Sequence, residues 1–168
     1  YSSAHSTIIL QNTNISEIKE GNPHLKFPQS VAFRKDTNEH EVIFEGSHNG
    51  YIKKFSKIIK RKLLIFKDKD KILGEDSFIS YKEINKRLIF HIRFHLADDM
   101  TYNFTNNKKN IILKTRLNNI WLFKSDTQLI IEDSILVDRN LTQPIKQIVI
   151  KGVILEDKTI KKWSLEKI

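Results

Sequence analysis

Histidine carries most of the chemistry this sequence can offer: there are six, and no cysteine. His91 and His95 stand four residues apart in Arg87-Leu88-Ile89-Phe90-His91-Ile92-Arg93-Phe94-His95-Leu96. On a strand that spacing is ~13 Å at ~3.3 Å per residue, whereas zinc needs each nitrogen at about 2.0 to 2.1 Å. The two do not clamp one ion. With Arg93 between them they make a polar face suited to a carboxylate or sulfate, because arginine presents a planar fork of donors. A solvated or hydrogen-bonded surface layer is the competing reading of the same face.

His48 lies in Ser47-His48-Asn49-Gly50-Tyr51, where a strand runs into a glycine-containing bend. A histidine and a tyrosine three residues apart at a strand end can both face a cleft, and both are suited to moving protons on and off carbon and oxygen. His48 and Tyr51 are therefore candidate catalytic residues, while simple turn chemistry at Asn49-Gly50 accounts for the same pattern. His5, in Ala4-His5-Ser6-Thr7 just before Ile8-Ile9-Leu10, reads by default as a terminal, half-exposed side chain.

The elements that must position these residues read as strands. Leu88, Phe90, Ile92, Phe94 and Leu96 are all apolar and alternate with Arg87, Ile89, His91, Arg93 and His95. A period of two means a strand with one face in a core. Similar strands are expected at 7–11, 30–35, 41–48, 58–66, 71–81, 101–104, 110–115, 120–123, 129–137, 145–151 and 161–165. Turn-forming clusters separate them, such as Lys67-Asp68-Lys69-Asp70 and Asn106-Asn107-Lys108-Lys109. About a dozen short strands without an amphipathic helix predict an all-β chain, an antiparallel sandwich or barrel in one domain. Asn12 to Gln29, with Gly21 and two of the three prolines, reads as a long loop.

Composition limits the functions. The 29 Lys plus Arg against 20 Asp plus Glu give a net charge of +9, which raises nucleic acid, anionic membrane or anionic polysaccharide as partners. Of the 29, 23 are Lys and 6 Arg, beside 26 Ile, 13 Asn and 3 Ala, so coding bias supplies part of the excess. Nucleic acid rests on charge alone, since the phenylalanines alternate with Ile and Leu as core residues do and no RNA-binding signature is present. Glycine-rich phosphate loops and a Gly-x-Ser-x-Gly elbow are missing. No apolar run approaches the ~18 to 20 residues of a membrane-spanning helix. Tyr1 to Thr7 has neither the basic start nor the apolar core of a signal peptide, and the chain reads as a piece of a longer one.

Several short segments follow one another along the chain: Ala4-His5-Ser6-Thr7, Asn12-Thr13-Asn14-Ile15-Ser16-Glu17, His48-Asn49-Gly50-Tyr51, Lys60-Arg61-Lys62-Leu63, Gly74-Glu75-Asp76, Arg93-Phe94-His95-Leu96, Trp121 with Phe123, Gln147-Ile148-Val149 and Trp163. In that order they resemble the C-terminal β domain of the heparinase II/III-like polysaccharide lyases, a bacterial branch, over nearly the whole chain. The resemblance implies a β-sandwich over 1–168 whose first strands and helical toroid lie upstream of Tyr1. It implies an enzyme that cleaves uronic-acid-containing anionic polysaccharide by β-elimination, with most catalytic groups outside this piece, which is expected to be inactive alone. Periplasmic or secreted placement goes with that reading. A structural zinc in some relatives makes His5 a metal ligand, its partners lying upstream. Arg93 and His95 become substrate-binding candidates, and His48 and Tyr51 match recurring positions. The alternative is a non-catalytic carbohydrate- or polyanion-binding sandwich.

Overall fold

The computed structural model describes residues 2, 5–19, 22–82, 86–105, 107–138 and 141–168. Ala4 of the His5 segment and Gly21 of the expected loop lie outside them. The strands are β1 (Ile8–Leu10), β2 (Glu17–Lys19), β3 (Asn22–Lys26), β4 (Val31–Thr37), β5 (Glu41–Tyr51), β6 (Lys57–Phe66) and β7 (Lys71–Ser80). They continue with β8 (Leu88–His95), β9 (Thr101–Phe104), β10 (Asn110–Lys114), β11 (Ile120–Ser125), β12 (Leu129–Asp138), β13 (Leu141–Ile154) and β14 (Lys158–Lys167).

Eight strands form one sheet in the order β4-β5-β6-β7-β14-β11-β10-β9, and four form a second in the order β1-β8-β13-β12. All pairings among the described residues are antiparallel, and the sheets stack as a sandwich, as the alternating patterns predict. Turn chemistry fixes the hairpins. Asn38 Oδ1 accepts the N–H groups of His40 and Glu41, each at 2.9 Å, between β4 and β5. Asn118 takes a left-handed φ of 60° between β10 and β11.

The inward side of β8 builds the core. Leu88, Phe90 and Ile92 are buried, and Phe90 meets Phe78 of β7 at a ring separation of 4.6 Å. Further along, Phe94 packs edge-on against Trp163 at 4.6 Å, and Trp163 stacks with Phe123 at 5.8 Å. Pairs of this kind contribute ~0.5 to 1.5 kcal/mol beyond the area they bury. The Trp163 ring lies over Gly74, where an added Cβ would sit 2.1 Å from Cε2, so only glycine allows this close approach.

A charged pair lies inside this aromatic cluster. Asp76, with 0% exposure, receives Arg61 Nε at 2.6 Å, Arg61 Nη2 at 3.0 Å and Trp163 Nε1 at 3.0 Å. The guanidinium stands 5.3 Å from the Phe94 ring centroid. Three donors satisfy the carboxylate, which a buried acid requires. Residues from Lys60-Arg61, Gly74-Glu75-Asp76, Arg93-Phe94, Phe123 and Trp163 thus meet at one place between the sheets.

Several elements differ from the sequence expectation. The Asn12–Gln29 stretch contains the antiparallel pair β2-β3 as a small sheet of its own. A single helical turn, α1 (Ile52–Phe55), follows β5 and stops at Ser56, whose φ is 51°. β13 begins four residues earlier than expected and includes Pro144, which is tolerated because its stretch pairs only with β12 through Ile135, leaving its other edge free of a ladder.

The smaller sheet leaves part of the larger one uncovered. β4 is exposed along its whole length, with Val31 71% and Phe33 69% accessible. Phe33 pairs with Gly46 of β5, and a Cβ at Gly46 would meet nothing within 4 Å.

Candidate functional site

The bend that ends β5 organises the surroundings of two candidates. His48 pairs with Ile59 and Tyr51 with Lys57, so the register shifts by one residue between them and re-aims the chain. His48 is half-buried, and its Nδ1 accepts the Gly50 N–H at 3.2 Å, which leaves the proton of the neutral ring on Nε2. Burial pushes its pKa down. It lines a groove of about 270 Å³ with Thr7, Ile8, Val31, Phe33 and Arg61, mostly apolar in its walls.

Tyr51 is enclosed instead. It is 1% exposed, and its hydroxyl lies 3.0 Å from Thr13 O and 3.3 Å from Ile8 O. Burial pushes the phenol up to about 12, so it stays protonated at neutral pH. The ring stands 5.8 Å from His48, so the bend brings the two candidates together, but only His48 faces a groove.

This tyrosine belongs to a set that closes the open edge of β1. The Thr7 carbonyl accepts from Arg93 N and Gln11 N donates to Ile89 O, so residues 7, 9 and 11 face β8 and the carbonyls of 6, 8 and 10 face outward. Arg61 Nη1 binds Ser6 O at 3.0 Å, Tyr51 approaches Ile8 O, and Thr13 binds Leu10 O through N at 2.9 Å and Oγ1 at 2.7 Å. Every outward carbonyl of that stretch has a donor, so these acceptors are already engaged.

Arg93 and His95 lie on the other side of β8, the outer face of the smaller sheet. This face is a hydrogen-bonded layer. Arg93, 8% exposed, places Nη1 2.6 Å from Glu132 Oε2, and Lys151 takes Oε1 at 2.7 Å. Burial pushes the Glu132 carboxyl up, but hydrogen bonds from Lys151 and Arg93 outweigh it and hold the pKa below its usual value. His95 Nε2 is 3.1 Å from Ser134 Oγ, and its backbone N–H donates to Ser6 Oγ at 3.0 Å. His91 Nδ1, Arg93 Nε and Gln147 Oε1 are buried without a hydrogen-bond partner. The Arg93 fork that suggested an anion cradle is thus already engaged by a carboxylate of the same sheet.

His5 is exposed, one residue before Ser6, which links the groove through Arg61 to the outer face through His95. Among the described residues no three His, Asp or Glu side chains gather where they could hold a metal ion. The described residues do not complete a ligand set around His5. The candidates therefore divide into His48 with Tyr51 at the bend, Arg93 with His95 on the outer face, and His5 near the link between them.

Sequence reasoning did not assign the Arg61–Asp76–Trp163 cluster, although all three residues stand in the segments that carry the family resemblance. It also left unused Lys53 and Lys54, which border a pocket of about 380 Å³ on the far side of the bend.

The family model described as "Heparinase II/III-like, C-terminal" matches residues 1–164. The chain belongs to that family. No match to this heparinase II/III-like chain was found among curated proteins. Among solved structures, the domain is similar to a heparan sulfate lyase, HepC from Pedobacter heparinus, with a TM-score of 0.77 and 16% identity over 99% of this chain and 24% of that one. It is also similar to heparinase III, with a TM-score of 0.71 and 11% identity over 98% of this chain and 23% of that chain. A heparinase III gene product matches with a TM-score of 0.71 and 6% identity, over 99% of this chain and 24% of that one. At such identities the likeness establishes the fold, a heparinase-type β domain. The heparinase II/III-like domain spans about a quarter of each matched chain.

Proposed function

We propose that this domain is the C-terminal β-sandwich of a longer polysaccharide lyase that cleaves an anionic, uronic-acid-containing polysaccharide by β-elimination. The single observation that carries this reading is the family match across residues 1–164, in a domain that spans 24% of a heparan sulfate lyase of the same fold. The reaction removes the C5 proton of the uronate, forms the C4=C5 double bond as the C4–O bond breaks, and returns a proton to the departing oxygen. It needs a base, an acid and a group that neutralises the carboxylate.

Most of that machinery belongs, on this reading, to a helical domain upstream of Tyr1, whose cleft with the sandwich takes the sugar chain. Of the candidates here, His48 is the one placed to meet a ligand, through a groove it shares with Arg61. Any metal bound through His5 draws its other ligands from beyond this domain.

A deletion series tests the proposal. The full-length gene product should depolymerise heparan sulfate or another uronate polymer, while residues 1–168 alone should not. A full-length product without such activity, but with retained affinity for the polymer, would replace the lyase reading by that of a binding module.

A further inference from the structure

The larger sheet has eight strands and the smaller four, so the core-facing side of the larger sheet is roofed over only part of its width. The roof ends at β1. Val31, His48 and Ile59 stand in one cross-strand row on that side, and exposure falls from 71% at Val31 to 3% at Ile59, with His48 half-buried between them. In the next row Phe33, 69% exposed, pairs with Gly46, which pairs with Arg61. Gly46 leaves a gap, since a Cβ on it would meet nothing within 4 Å. Phe44 follows on the same side, its ring centroid 5.9 Å from that of Phe33. Large apolar side chains at core-facing positions, grouped beside a groove of about 270 Å³, mark an interaction surface.

Position, chemistry and symmetry select the occupant. Thr7 and Ile8 form one wall of the groove, and Arg61 binds Ser6 O at its border. Ser2 is tied by hydrogen bonds to Asn14 and Ile15, and Ile15 packs beside Gly50 at the bend that ends β5. The start of the chain therefore runs along the edge of the patch, and a segment attached there meets it at high effective concentration. The patch is apolar and its guanidinium is already engaged by Asp76 and Ser6 O, which suits apolar side chains better than a hydroxylated, anionic sugar chain. A second copy pairing by two-fold symmetry along the whole of β4 would set Arg34 opposite Arg34 at the centre of Val31–Thr37, like charges face to face.

We propose that the part of the chain upstream of Tyr1 docks on this uncovered side of β4, β5 and β6, with an apolar side chain entering the gap at Gly46. The proposal rests on the reading of the domain as the C-terminal part of a longer lyase, and deepens it by naming the surface on which the rest of that chain sits. His48 closes one end of the patch, so the docking puts it at the seam between the two parts, beside the proposed cleft for the sugar chain.

Hydroxyl-radical footprinting tests this on unsubstituted protein, with side-chain oxidation read by mass spectrometry in the 168-residue chain and in the full-length gene product. Phe33 and Val31 should be oxidised at least about fivefold more slowly in the full-length product, while Leu117, 84% exposed on the turn between β10 and β11, should change less than about twofold. A product ending at Ile168 should keep that protection. Equal rates at Phe33 in the two proteins would overturn the proposal, and so would protection lost on truncation after Ile168. Protection that is already present in the 168-residue chain and grows with its concentration would overturn it in favour of a second copy. Protection that appears only with an added heparan sulfate tetrasaccharide would overturn it in favour of the substrate. Cleavage by the full-length product is scored separately: its absence with Phe33 protected removes the lyase reading and leaves the docking surface, and its presence with Phe33 open removes only the docking surface.

Discussion

Arg61 and Asp76 face each other across β6 and β7 with Nε 2.6 Å from Oδ1, and the carboxylate is fully enclosed beneath Trp163. Removing one member leaves the other charge in a site built for a pair, at a cost of about 3 to 5 kcal/mol. Asp76→Leu and Arg61→Met should each show this loss in urea denaturation, and the double variant should be more stable than the sum of the two losses implies. Additive losses would mean that the two side chains act independently.

Gly74 and Gly46 should respond to the same substitution in opposite ways. A methyl group at Gly74 meets the Trp163 ring at 2.1 Å, and overpacking of this kind costs about 1 to 3 kcal/mol. At Gly46 it enters open space, and a less flexible unfolded chain should give about 0.4 to 1 kcal/mol of stabilisation. Thermal unfolding of Gly74→Ala and Gly46→Ala would show the contrast; equal effects would contradict the packing at Trp163.

Tyr51→Phe keeps the ring and removes the hydroxyl that reaches Thr13 O and Ile8 O, an expected loss of about 1 kcal/mol. The alkaline limb carries a second signature. A phenol raised from 10.0 to about 12 by burial gives stability that is complete below 10.0 and lost as pH rises through about 12. Tyr51→Phe should therefore flatten that part of the stability curve. An unchanged alkaline slope would mean that the phenol titrates as in solvent.

On the acid side the sensitive group is His91. Burial lowers its pKa first, the charges of Arg93 and Lys151 lower it further, and Glu132 opposes them. Since the unfolded chain takes up the proton more readily, stability is complete above the ordinary value of 6.5 and falls as pH drops below it. His91→Gln should reduce the fall in melting temperature between pH 6.5 and about 5. If the variant shows the same fall, the acid sensitivity lies elsewhere, with His48 the next to replace.

What the sequence conveys depends on how local the physics is. The β8 alternation is legible because each inward residue, Leu88 to Phe94, reports its own burial. That the opposite side of β8 is an engaged layer is not legible, because Arg93 finds Glu132 39 residues later. The Arg61–Asp76–Trp163 cluster spans 15 and 87 residues and exists only through the registers of β6, β7 and β14. In 12–29, two prolines masked the pairing of β2 with β3. His48 and Tyr51 could be read as neighbours from spacing alone, but the register shift that leaves one at a groove and the other in the core could not.

We propose that the protein carrying this domain breaks its polymer by elimination. Elimination adds no water to the products, whereas hydrolysis adds one molecule per bond broken. The full-length gene product should therefore be allowed to cleave a uronate polysaccharide, and the product oligosaccharides weighed by mass spectrometry. The expected result is unsaturated uronate ends, with each product one water lighter than the corresponding saturated oligosaccharide. Saturated products at the full hydrolysis mass would contradict elimination.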